Sequence, residues 1–166
     1  AEGTVLSPSG LGAIVLALLT TLKTGDHLLM PDSVYRPTRK FCHGLLDKMG
    51  IITTYYDPMI GADIEKLVTP NTSTIFLESP GSQSFEIQDV PAIVEVAKRH
   101  NIATIIDNTW ATPLFFKAHE LGCDISLEAG TKYLGGHSDL LMGVVSANQA
   151  WWPKLRETYD YMAMLP

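Results

Sequence analysis

One lysine and one aspartate stand in this sequence where such residues are expensive to place. Lys132 lies in CDISLEAGTKYLGGHSD, residues 123–139, after an apolar run and before the pair Gly135-Gly136. An ammonium just beyond a buried strand must stay hydrated or find a partner. Desolvation lowers a lysine pKa and frees the amine to attack carbonyls, which is how Schiff-base lysines arise. Asp107 ends a second apolar run, IATIIDNTW, residues 102–110. A carboxylate beside a pyridine nitrogen keeps that nitrogen protonated, so that the ring draws electrons from a substrate Cα. Such a lysine and such a carboxylate are the two protein groups that a pyridoxal phosphate site needs. Each also has a plainer reading, Lys132 as a solvated loop residue and Asp107 as a strand-end turn cap with Asn108.

Further candidates surround this pair. Ser9-Gly10-Leu11-Gly12 reads as a helix start, where free backbone N–H groups and the dipole favour a phosphate and glycine allows close approach. An ordinary cap is the alternative. A dinucleotide fingerprint is not: its third small position falls on Val15, and no clear strand leads into the turn. Thr131 either donates to a phosphate or satisfies its own turn. Tyr35 either lays its ring on a cofactor face or sits in the core with its hydroxyl paired. His137 and Asp139 are two potential metal ligands without a third, so no metal site is expected. GxxxxGK[ST], Gly-x-Ser-x-Gly and His-Glu-x-x-His are all missing from the sequence.

The elements that must position these residues alternate. A helix apolar on most sides is expected over 11–22, a strand over 27–30, and a helix from about 36 to 49 stopped by Gly50. Strands follow at 51–56 and 74–77, with a short helix at 63–67 between them. An amphipathic helix opens at Asp89-Val90-Pro91 and runs to about His100. Strands at 102–106, 125–127 and 142–147 precede a last helix from Trp151-Trp152-Pro153 toward Met162. Most strands are apolar throughout, which predicts an α/β fold with a mostly parallel sheet and helices on both faces. Ligands sit beyond the carboxyl ends of such strands, where Tyr35, Ser79, Asp107 and Lys132 gather.

Composition narrows the function classes. The 166 residues carry a net charge of −6, and no Lys/Arg run overrides it, so neither nucleic acid nor an anionic membrane is an expected partner. The longest apolar stretch, Leu11 to Leu19, is too short to span a bilayer. Cys42 and Cys123 form no Cys-x-x-Cys and read as reduced thiols, consistent with an expected cytoplasmic location.

Taken together, these residues resemble a known family. Thr131-Lys132-Tyr133-Leu134-Gly135-Gly136-His137-Ser138-Asp139 is similar to the lysine segment of the Cys/Met-metabolism family of pyridoxal-phosphate enzymes, of fold type I. Asp107-Asn108-Thr109-Trp110, Ser9-Gly10 and Tyr35 match the family's other markers in the same order. Within the family, Glu78-Ser79-Pro80-Gly81-Ser82 resembles the cystathionine β-lyases, where γ-synthases and γ-lyases usually read Ser-Pro-Thr-Asn-Pro. Asp57-Pro58 and Ile60-Gly61-Ala62-Asp63-Ile64 point the same way.

The resemblance implies pyridoxal 5'-phosphate as cofactor, carried by Lys132, which also shuttles protons. It further implies that Asp107 pairs with the ring nitrogen and that Tyr35 stacks on the ring and helps in proton transfer. Ser9, the Gly10 and Leu11 amides, and Thr131 are implied to hold the phosphate. The implied substrate is cystathionine or a related thioether, cleaved to homocysteine, pyruvate and ammonia in methionine biosynthesis by a dimer or tetramer of identical chains. A γ-lyase, γ-synthase or sulfhydrylase, and a cofactor-free scaffold, are the competing expectations. Family members often carry a serine or threonine three residues before the lysine, where this chain has Ala129. The implied extent is that residues 1–166 are the central part of the cofactor-binding domain. The N-terminal arm and the C-terminal domain would lie outside it, leaving these residues inactive alone.

Overall fold

The computed structural model describes residues 1–164. Its strands, in chain order, are β1 (Gly3–Ser7), β2 (His27–Pro31), β3 (Ile52–Tyr56), β4 (Thr72–Glu78), β5 (Ala103–Asp107), β6 (Ile125–Glu128) and β7 (Gly143–Ala147). The α-helices are α1 (Gly10–Thr21), α2 (Arg36–Phe41), α3 (Val90–Arg99), α4 (Thr112–Phe115) and α5 (Trp152–Met162). The chain divides into two compact units, Ala1–Thr20 with Ile105–Pro166, and Thr21–Thr104. The fold is α/β with a mixed sheet, as the run of wholly apolar strands predicts.

In the first unit the strand order is β1-β7-β6-β5. β5 and β6 are parallel, with Asp107 opposite Leu127, while β7 runs antiparallel to both β6 and β1. The carboxyl ends of β5 and β6 therefore lie side by side, and they deliver Asp107 and the segment leading to Lys132. In α1, Ala13, Ile14, Leu16, Ala17 and Leu18 are all at most 2% exposed, which explains a helix with no polar face. Trp152, at the start of α5, packs directly against Gly3 of β1, where a Cβ would come within 2.4 Å of the indole.

The second unit holds β4-β2-β3, all parallel. The pattern of α3 is amphipathic, burying Val90, Ile93, Val94, Val96 and Ala97. Asp89 caps it by accepting the Ala92 N–H at 3.2 Å.

Three elements depart from expectation. A strand, β1, does lead into the Ser9 turn. It is short and half exposed, with Val5 buried and Leu6 40% exposed, so its apolar content gives little periodic signal. The helix expected over residues 36–49 is α2 followed by a π-helical turn, Cys42–Leu46. The short α4 lies between two expected strands, where the sequence predicts no element, with Pro113 in its first turn where the missing N–H is harmless.

Candidate active site

Asp107 is the last residue of β5 and is 9% exposed. Thr109 donates twice to its Oδ1, from the backbone N–H at 3.0 Å and from the hydroxyl at 2.5 Å. Both bonds fall on one oxygen, which leaves the lone pairs of Oδ2 for a ligand. The Thr109 hydroxyl in turn accepts the Ala129 N–H at 2.8 Å. One threonine therefore ties the carboxylate on β5 to the segment that carries the lysine. Burial pushes the Asp107 carboxyl up, and the two Thr109 bonds and the positive charge of Lys132 pull against it.

Lys132 sits in the turn after β6 and is exposed. Its backbone N–H donates to Ala129 O at 3.0 Å, and its carbonyl accepts the Gly136 N–H at 2.7 Å. Gly136 has φ +78°, a left-handed conformation that closes the turn at no steric cost. The lysine is thus presented by a turn locked at both ends, rather than buried, and its positive charge acts on Asp107. The desolvation argued from sequence is not supplied by these residues.

The start of α1 lies against the same segment. Ser9 is its N-cap, its Oγ accepting the Gly12 N–H at 3.0 Å. The Gly10 and Leu11 N–H groups, at the first two helical positions, have no acceptor within the helix. A Cβ on Gly10 would sit 2.6 Å from Ala129 Cβ, so only glycine lets the helix end approach the lysine turn this closely. The Thr131 hydroxyl is engaged inside its own loop, donating to Met142 O at 3.1 Å and accepting the Met142 N–H at 3.0 Å.

The first unit therefore holds Ser9, Gly10, Leu11, Asp107, Thr131 and Lys132, linked through Thr109 and through the Gly10–Ala129 contact. Tyr35 belongs to the second unit. It precedes α2, is 38% exposed rather than in the core, and its backbone N–H donates to Glu78 Oε2 at 3.0 Å. Ser79 lies in that unit too, its Oγ accepting the Gln88 N–H at 3.0 Å. Among the described residues, no three His, Cys, Asp or Glu side chains are grouped to hold a metal.

Two residues of the site escaped the sequence reading as working parts. Thr109 could have been found, because Asp-x-Thr after a strand is a turn signature in which hydroxyl and amide return to the carboxylate. Glu128 could not, because a strand-end glutamate is ordinarily solvated, yet here it is 7% exposed.

The family described as Cys/Met metabolism PLP-dependent enzyme matches residues 1–163. The chain belongs to that family. A Saccharomyces cerevisiae protein named "Putative cystathionine beta-lyase" is 71% identical over 99% of the chain and 48% of its own length. The Haemophilus influenzae protein named cystathionine beta-lyase is 50% identical over 93% of the chain and 40% of its own length. A crystal structure of cystathionine gamma-lyase from Lactobacillus plantarum, complexed with L-serine, superposes with a TM-score of 0.96 at 32% identity. It covers 99% of the chain and 43% of that structure. The chain thus spans about half the length, or less, of these relatives.

The Cys/Met metabolism family is pyridoxal-phosphate-dependent, and the residues present fit that group. A glycine that a Cβ would overfill, a capped helix start with two amides outside the ladder, a buried carboxylate with one oxygen unspent and an adjacent lysine are the complementary donor set.

Proposed function

We propose that these residues form the cofactor-binding core of a carbon–sulfur lyase that cleaves the Cβ–S bond of cystathionine or a related thioether amino acid. In this reading it acts in the cytoplasm, as a homo-oligomer, within methionine biosynthesis. The observation that carries the proposal is Asp107, buried and braced by Thr109, with the same hydroxyl taking the Ala129 N–H three residues ahead of Lys132. Support for β- over γ-cleavage comes from Glu78-Ser79-Pro80-Gly81-Ser82 and from the names of the yeast and Haemophilus relatives.

Bound pyridoxal phosphate supplies a sink for the electron pair left when the substrate Cα loses its proton. Asp107 Oδ2 holds the proton on the ring nitrogen, and Thr109 keeps the carboxylate aimed. Lys132 Nζ would hold the cofactor and would move the proton from the substrate Cα to the leaving sulfur. The Gly10 and Leu11 N–H groups, with Ser9, bind the phosphate at the positive end of α1. Thr131 secures the lysine turn through Met142, and Tyr35 would supply an aromatic face for the cofactor ring. Cystathionine and water yield homocysteine, pyruvate and ammonia.

The test begins with the 166-residue chain and added pyridoxal phosphate. A near-ultraviolet or visible absorption band of bound cofactor is expected, lost in Lys132→Ala with the circular dichroism unchanged. A folded but colourless wild type would overturn the reading in favour of a non-catalytic scaffold. Alone the chain is expected to release no pyruvate, since its relatives are about twice as long, and pyruvate release would refute that. In a longer protein carrying these residues, cystathionine is expected to give pyruvate. Release of 2-oxobutyrate instead would establish γ-cleavage, the second reading, which the Lactobacillus neighbour supports.

A further inference from the structure

Glu128 is the buried carboxylate for which the roles above find no use. It ends β6, is 7% exposed, and its Oε2 meets no hydrogen-bond partner. Asn108 lies beside it, because its backbone N–H donates to Leu127 O at 2.8 Å. The Asn108 amide is fixed by Nδ2 donating to Phe116 O at 2.9 Å, which directs Oδ1 elsewhere. That Oδ1 is also buried without a partner, in a residue 1% exposed. Both side chains line one cavity of about 360 Å³.

Two neighbouring buried acceptors, with no donor given to either, are an arrangement that folded proteins rarely keep. A single proton resolves it, because a carboxylic acid has an O–H to give and an amide oxygen can take it. The surrounding charges favour that state. Asp107 on β5 presents a like charge. Across β7 the residue in register is Val144, which has none. Lys117, on the cavity wall, pairs with Glu120 at 3.3 Å. His119 has Nδ1 3.0 Å from Cys123 O and Nε2 3.0 Å from Ser146 Oγ, so both ring nitrogens are engaged, and burial holds its pKa down. Burial and Asp107 together push the Glu128 carboxyl up to about 7.

We propose that Glu128 is a positioning residue that, when it carries its proton, gives its hydroxyl to Asn108 Oδ1, leaving Asp107 the ionised carboxylate beside the ring nitrogen. The statement about Asp107 rests on the cofactor reading, whereas the statement about Glu128 and Asn108 does not. A second carboxylate charged this close would compete for the positive charge that Asp107 is there to hold. A neutral acid instead anchors Asn108, the residue between Asp107 and its brace Thr109.

Infrared titration of the chain without cofactor tests the proton. A protonated-carboxyl stretch is expected at pH 6, fading with a midpoint near 7, and missing in Glu128→Gln. A midpoint in the ordinary glutamate range, or a band whose intensity is unchanged in Glu128→Gln, would overturn the proposal whatever the cofactor does. Asn108→Ala removes the acceptor, so the midpoint is expected to fall by about one unit. A midpoint that stays or rises would rule Asn108 out as the partner. With cofactor bound, Glu128→Gln is expected to keep the absorption band at pH 6 and to remove its drift between pH 6 and 8. An unchanged drift would rule out the positioning role even if the titration holds.

Discussion

Two buried polar clusters in this protein solve the same problem in opposite ways. In the second unit, Gln88 is a hub, 4% exposed, whose Oε1 accepts the Glu78 N–H at 3.0 Å and whose Nε2 donates to Tyr56 OH at 3.1 Å. The Tyr56 hydroxyl passes its own hydrogen to Phe76 O at 2.7 Å, and the Gln88 N–H goes to Ser79 Oγ at 3.0 Å. These donors and acceptors are matched, and burial pushes the Tyr56 phenol well above its usual range, so the chain of bonds is fixed in one protonation state. In the first unit, Asn108 and Glu128 are as deeply buried but each keeps an acceptor to spare. A matched network fixes a loop and has nothing left to offer a ligand. Spare buried acceptors cost stability, and that cost is recovered only when a proton or a ligand completes them. Of the two clusters, the incomplete one is where chemistry belongs.

The sharpest way to break this contrast is to open the matched cluster. Gln88→Leu strands the Glu78 N–H and removes the donor to the Tyr56 hydroxyl, and should cost about 2–4 kcal/mol of unfolding free energy, measured by urea denaturation. A loss under about 1 kcal/mol would show that the network is decorative.

Next comes the pH dependence of the incomplete cluster. The folded Glu128 carboxyl lies at about 7, above its ordinary 4.5, so the folded state binds the proton more tightly than the unfolded one. That contribution is complete below pH 4.5 and declines as pH rises through 7, reaching about 3 kcal/mol of lost stability. Asp107, also pushed up, adds a slope of the same sign. Urea midpoints between pH 4.5 and 8.5 should therefore fall in the wild type and fall less in Glu128→Gln. Parallel curves would separate Glu128 from the effect.

The smallest effect is expected at the brace. Thr109→Val removes the hydroxyl from Asp107 Oδ1 and leaves the Ala129 N–H without its acceptor, for about 1–2 kcal/mol. Thr109→Ser should restore most of that, and a serine variant as weak as valine would mean that the methyl, not the hydroxyl, matters.

Which parts of the site could be read in advance follows from what a linear pattern encodes. Asp107 and Lys132 stand out because each follows an apolar run, and a polar residue at the end of a buried strand is a local event. The glycine-assisted helix start at Ser9-Gly10 is local as well. Glu128 is different, since its sequence neighbours Leu127 and Ala129 do not disclose that its carboxyl turns into a cavity beside Asn108. The brace from Thr109 to Ala129 joins two strands and appears only once their ends are aligned. Ala129 reads as a lost phosphate ligand until the Gly10 contact explains why a small side chain suits that place. Strand β1 is hard to read for a related reason, because its partner β7 is remote in sequence and supplies the pairing that its own residues barely signal.

That pairing sets an order of events during synthesis. Gly3–Ser7 pairs with Gly143–Ala147, so β1 is synthesised well before the strand it docks on and must wait for it. Until β7 arrives, the turn at Ser9-Gly10 has no sheet to rest on, however soon α1 coils. The helix start proposed to receive the phosphate therefore gains its sheet only after the lysine turn has been made.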